Sequence, residues 1–142
     1  MRSAQNAPAS APRAALLFIF AVVLLDVVGM SMLIPIQAYI VRAYDSDALT
    51  VTLLSVVYAA AQFAATPILG TLSDRYGRRP VLLISVLGSA AGYALFGMSG
   101  ALWMLFVSRL IDGVTGGNIS TASAYIADVS PREDRAKNFA LL

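Results

Sequence analysis

Three ionisable side chains, Asp26, Arg109 and Asp112, sit inside long apolar runs of a 142-residue chain that contains no cysteine and no histidine. Without thiols or imidazoles there is no disulfide, Cys/His zinc site, histidine-ligated haem or histidine-based triad. Chemistry must rest on carboxylates, arginines and hydroxyls. No phosphate-cradling glycine loop occurs in the sequence, so ATP-driven work and enzymatic activity by this chain have no support. Asp26, preceded by about twelve apolar residues, reads as a carboxyl able to hold and release a proton within an apolar barrier. Its plainer reading is a polar packing contact or a shallow position reached by snorkelling. Arg109 and Asp112 are three apart, share one helical face and can neutralise one another. Gly113, Gly116, Gly117 and Ser120 continue that stripe, a small-residue spacing that lets a neighbouring helix approach closely. The hydroxyls of Ser120, Thr121 and Ser123 have no base beside them in sequence and read as interhelical hydrogen-bond groups.

The surroundings of these residues are those of a membrane protein. The chain is 58% hydrophobic and only 13% charged, with mean hydropathy +0.75, whereas a soluble domain carries roughly 25% charged residues. Between Arg13 and Arg42 the only charge is Asp26, between Asp47 and Asp74 there is none, and between Arg79 and Asp128 there are only Arg109 and Asp112. Each run meets the roughly 20 residues needed to cross a bilayer as a helix. The last is about 48 residues, or about 70 Å of helix, and must break once. Gly97-Met98-Ser99-Gly100 is the turn signal that leaves a full span on each side. Four spans are therefore predicted, at 14–41, 49–72, 80–98 and 101–127, in an all-α membrane protein. Gly29 and Pro35, following Asp26, are expected to weaken or kink the first span and free backbone toward a cavity.

Charge asymmetry sets the expected orientation. Arg2 and Arg13, then Arg75, Arg78 and Arg79, then Arg132, Arg135 and Lys137 fall on one side, against Arg42 alone on the other. Eight against one puts the N-terminus and both basic loops in the cytoplasm. The basic residues outside the spans are thus topology markers rather than a nucleic-acid surface. The first apolar run is too long for a secretory signal and reads as a retained span. Residues 1–13, rich in Ser, Ala and Pro, read as a disordered cytoplasmic tail. Ser130 and Glu133 have capping-box spacing with Pro131 between them, so a fifth helix should begin at about residue 131. The apolar residues that follow are too few to cross a membrane, and the expectation is a piece of a longer chain.

The segment Gly70-Thr71-Leu72-Ser73-Asp74-Arg75-Tyr76-Gly77-Arg78-Arg79-Pro80 joins the second and third spans. Gly77 suits a left-handed helix cap and Pro80 the first turn of the next helix, which makes a short, fixed hairpin. Asp74 is the unexpected residue, because a helix C-terminus disfavours negative charge and the carboxylate needs cationic company.

With those residues in view, the chain resembles the N-terminal third of a major facilitator superfamily transporter, in the group of bacterial drug:proton antiporters that includes the tetracycline exporters. The resemblance runs from about Leu16 onward. Its main element is the loop signature G-x-L-x-D-R-x-G-R-R, met by Gly70, Leu72, Asp74, Arg75, Gly77, Arg78 and Arg79. R-x-x-x-G in the fourth span is met by Arg109 and Gly113, and D-x-x-G with a later proline by Asp26, Gly29 and Pro35. The resemblance implies a twelve-helix fold of two six-helix halves, alternating access, and proton-coupled export of small amphipathic drugs at the bacterial inner membrane. It implies no bound cofactor, the proton gradient being the energy source, and a C-terminal portion as the partner of this one. It further implies that Asp74 latches the two halves, that Arg78 pairs with Asp128, and that Arg109 takes part in proton coupling, with Asp26 and Asp112 beside it. Two positions depart from the pattern. Gly92 stands before Tyr93 where tetracycline exporters carry an acidic residue, and Asp112 stands where an uncharged residue is usual.

Two other readings compete. A complete four-helix multidrug exporter working as a dimer would fit the length and Asp26, but not the start of a fifth helix or the loop signature. A non-transporting membrane scaffold, with its arginine loops on anionic lipid, would make Asp74 and Asp128 dispensable. Half a cavity has no second half to rock against, so this portion by itself is expected to transport nothing.

Overall fold

The computed structural model describes residues 13–44, 47–130 and 132–140. Among these residues all regular structure is helical, in the order α1 Arg13–Arg42, α2 Ala48–Tyr76, α3 Arg78–Gly97, α4 Leu102–Thr115, α5 Asn118–Val129 and α6 Arg135–Phe139. The expected tail before Arg13 and the expected helix start at Pro131 lie outside the described residues.

Helices α1, α2 and α3 are each long and apolar enough to cross a membrane. At about 1.5 Å per residue, the 30 residues of α1 exceed a hydrocarbon core of about 30 Å. Their outward faces carry large apolar side chains such as Leu17, Leu25, Ile34, Phe63 and Leu87, the surface that lipid covers. Pro35 and Pro67 lie inside α1 and α2 without ending either helix. Gly29 does not open α1 toward a cavity as expected, since the space its Cβ would take is filled by the Tyr93 ring, 2.5 Å away.

The expected fourth span, 101–127, is not one helix. It is α4, of 14 residues, and α5, of 12, each too short to cross alone. Gly116 and Gly117 separate them, where two residues without side chains cost a helix about 1 kcal/mol each relative to alanine. Both pieces pack against α2 and α3. The second span also runs a turn further than expected, to Tyr76, so Gly70 through Asp74 belong to a helix and the loop shrinks to Gly77. Gly77, at φ 98° and ψ 151°, donates its N–H to the Ser73 carbonyl (3.1 Å) and reverses the chain into α3. Ser130 does not cap the last helix. That position falls to Asp134, and the Ser130 hydroxyl accepts a hydrogen bond from the Asn138 amide (2.8 Å). Ser120 and Ser123 donate to carbonyls of Gly117 and Ile119, so these hydroxyls are spent locally rather than between helices.

Two apolar clusters hold the ends of the bundle. Ile19 and Val23 of α1 meet Ala122 and Ile126 of α5 near the basic loops. At the opposite end Val41, Leu54, Phe96 and Leu105 join α1 to α4, and the Tyr44 hydroxyl donates to the Ser99 carbonyl (2.7 Å) in the turn expected at 97–100. Beside this second cluster, Gln37 of α1 donates to the Val51 carbonyl of α2 (2.9 Å). Because lipid is as apolar as leucine, helices here associate through close packing and polar contacts. Gly113 of α4 is such a contact: a Cβ there would stand 2.6 Å from the Tyr58 carbonyl and 2.7 Å from the Ala61 methyl on α2. Gly113→Leu should therefore lower stability by about 1–3 kcal/mol, the usual cost of overpacking, and Gly113→Ala by less, as read by thermal unfolding in detergent.

Candidate functional site

Five helices bring polar side chains to one place inside the apolar bundle. Asp26, partly buried, comes from the middle of α1. Its Oδ1 accepts a hydrogen bond from Nδ2 of Asn118 (2.9 Å), a residue with no exposed surface in the first turn of α5. Arg109 and Asp112 are 4% and 3% exposed, with Nη1 and Oδ2 3.2 Å apart. The guanidinium also lies 5.0 Å from the Phe96 ring centre and 5.9 Å from each of Tyr58 and Tyr93. A desolvated cation is held both by its counter-ion and by the negative faces of the rings. Nε and Nη2 of Arg109 and Oδ1 of Asn118 are buried with no hydrogen-bond partner among the described residues.

The break in the fourth span forms the wall of this cluster. Gln62 of α2 donates to the Gly116 carbonyl (2.7 Å), satisfying a backbone group that the missing helical turn releases. Thr115 donates to its own helix at the Ile111 carbonyl (2.9 Å). Gly92 of α3 faces Asp112. A Cβ at Gly92 would stand 3.1 Å from the Asp112 Cβ and 3.2 Å from the Ser108 carbonyl, so the departure at position 92 coincides with the space that Asp112 uses. Gly117 packs on Leu69, 2.7 Å from where its Cβ would be.

A second group lies where α2, α3 and α5 end. Arg78, 19% exposed in its side chain, pairs with Asp74 (Nη2 to Oδ1, 2.6 Å) and Asp128 (Nε to Oδ2, 2.9 Å), and Nη1 donates to the Ser73 hydroxyl (2.6 Å). One guanidinium thus ties the C-terminal turns of α2 and α5 to the N-terminus of α3. The other two loop arginines do different things: Arg75 lies over the Tyr76 ring (5.6 Å) and Arg79 over Phe18 of α1 (5.7 Å). Arg135 donates to the Ala127 carbonyl (2.9 Å), a cation at a helix C-terminus where the dipole favours it. Nothing lies within 4 Å of where a Gly70 Cβ would be.

The structure therefore joins Arg109 to Asp112, and Arg78 to both Asp74 and Asp128. It gives Asp26 an asparagine partner rather than Arg109. Asn118, Gln62 and the three rings around Arg109 were not foreseen. The available signal was that uncharged polar residues inside apolar spans need partners in lipid as charged ones do.

A multi-pass α-helical membrane protein with an ionisable cluster between its helices and an arginine-centred ionic clasp at one end is thereby defined. The chain belongs to the Major Facilitator Superfamily, whose family profile matches residues 19–142. It is 43% identical over 131 residues to the Tetracycline resistance protein, class C, of Escherichia coli, a match covering 90% of this chain and 33% of that protein. Identity to the class B protein of Escherichia coli is 38% over 124 residues, covering 85% and 31%. The human Major facilitator superfamily domain-containing protein 10 is 34% identical over 90 residues, covering 63% and 20%. The chain spans about a third of the length of the tetracycline resistance proteins it matches.

Proposed function

We propose that this chain forms part of a proton-coupled exporter of small amphipathic drugs, tetracycline-like or multidrug, working by alternating access in the bacterial inner membrane with its N-terminus in the cytoplasm. The observation that carries the reading is the cluster of Asp26, Asn118, Arg109 and Asp112, ionisable groups held at membrane depth, where charges are costly and are kept mainly for function. The tetracycline resistance proteins among its relatives point to the substrate class. In this reading Asp26 carries the proton, Arg109 and Asp112 set the electrostatics of the cavity, and the clasp of Arg78 with Asp74 and Asp128 biases one of two states. The proton gradient supplies the energy and no bound cofactor takes part. A further portion of the transporter supplies the other half of the cavity.

The test is drug uptake into everted membrane vesicles containing the full-length protein, energised by an imposed pH gradient. Uptake should depend on the gradient and vanish in Asp26→Asn with the protein still inserted. Gradient-independent uptake, or full uptake by Asp26→Asn, would sink the assignment.

A further inference from the structure

We propose that Asn118 is a positioning residue that reads the protonation state of Asp26 and passes it to the break between α4 and α5. The inference rests on the proton-carrier reading of Asp26 and extends it to residues outside the motifs.

Four observations meet here. The Asn118 side chain has no exposed surface, and its Nδ2 donates to Asp26 Oδ1 at 2.9 Å. Its Oδ1 is buried with no partner among the described residues. Asn118 opens α5 directly after the Gly116–Gly117 interruption. The Gly116 carbonyl is held from the other side by Gln62 of α2 at 2.7 Å.

An amide carries a donor and an acceptor on one planar group, and rotation by half a turn exchanges them. Ionised Asp26 offers only acceptors and is matched by Nδ2. Once a proton from water binds Asp26, its carboxyl becomes a donor, and Oδ1 is the matching atom. Each protonation state thus selects one orientation of the same amide. No bond other than the O–H on Asp26 forms or breaks. Because the amide belongs to the first turn of α5, and two glycines leave that turn without side-chain anchors on its α4 side, reorientation is transmitted to a helix end. The titratable and charged groups near Asp26 are Tyr58 on α2, Tyr93 on α3 and Asp112 on α4, with Arg109 beside them. From α5 the facing group is the uncharged amide.

The experiment uses the full-length protein in proteoliposomes with tetracycline as probe and ethidium as a second amphipathic probe. Drug-driven proton exchange is followed from pH 5 to 9 in the wild type, Asp26→Asn, Asn118→Leu and Asn118→Gln. In parallel, pH-difference infrared spectra follow the carboxyl band lost in Asp26→Asn, a readout that needs no transport. Asn118→Leu, which fills the site without an amide, should move the midpoint of both profiles by about one pH unit to the alkaline side, since a charge-assisted hydrogen bond is stronger than a neutral one. Asn118→Gln, which keeps the amide, should restore the wild-type midpoint in part. If Asn118→Leu lowers the exchange rate at every pH with both midpoints unmoved, Asn118 only fills space and the proposal is overturned. If Asn118→Leu does not reach the membrane, Asn118→Ala takes its place with the same expected shift. Failure of the transport reading looks different: exchange then persists in Asp26→Asn, while the infrared arm still reports whether Asn118 sets the titration of Asp26.

Discussion

Asp112→Leu is expected to destabilise the bundle by about 3–5 kcal/mol, the loss that follows when one partner of a buried ion pair is removed. The reason is the residue left behind. Arg109 is 4% exposed, its ion-pair partner among the described residues is Asp112, and a guanidinium does not shed its proton inside a protein. The rings of Phe96, Tyr58 and Tyr93 face the cation in wild type and variant alike, so they do not replace what Asp112 supplies. The mirror substitution, Arg109→Leu, should cost less, because a stranded carboxylate can become neutral by taking up a proton. The double variant Arg109→Leu/Asp112→Leu should recover much of the stability, though not transport. Unfolding of all four proteins in mixed micelles gives the coupling energy through a double-mutant cycle. Strictly additive losses would mean that the two residues do not act as a pair.

Arg78→Gln should have the opposite profile, with a small effect on stability and a large one on transport. Asp74 and Asp128 are 63% and 56% exposed in their side chains, and exposed ion pairs are worth about 0–1 kcal/mol each because solvent screens them. Two such pairs give at most about 2 kcal/mol, too little to unfold a helical bundle. If they are made in one state of the transport cycle and lost in the other, the same energy moves a two-state equilibrium by up to about 30-fold. Transport by Arg78→Gln should fall by about that factor with the melting temperature nearly unchanged. Arg75→Gln, which among the described residues gives up an exposed contact with Tyr76, should change transport little. Equal losses in both variants would show that the loop arginines act as a pool of positive charge rather than through one clasp.

The parts of this protein that were legible in its sequence are those fixed by local or compositional physics. Apolar run lengths located α1, α2 and α3 to within a turn, and Gly97 through Gly100 marked a true reversal. The i,i+3 spacing of Arg109 and Asp112 announced their pairing. What escaped was decided by contacts across the bundle. The Gly116–Gly117 pair, read as a packing face, is also where the fourth span divides, because Gln62, 54 residues earlier, can satisfy the freed carbonyl. The partner of Asp26 lies 92 residues away in α5, and nothing in the periodicity of either helix connects them. Pro35 and Gly29 looked like helix breakers, yet α1 runs through both, with the Tyr93 ring packed against Gly29. At Asp74 only the need for cationic company was visible, and the resemblance implied Arg78 with Asp128; the structure adds that the same Arg78 also serves Asp74.

The central claim, that Asp26 couples proton movement to drug export, is tested most directly by measuring proton release when tetracycline or ethidium is added to proteoliposomes holding the full-length protein. The account predicts drug-driven proton release in the wild type, carried in the direction opposite to the drug, and none in Asp26→Asn, although that variant still inserts. Undiminished proton release from Asp26→Asn would contradict it.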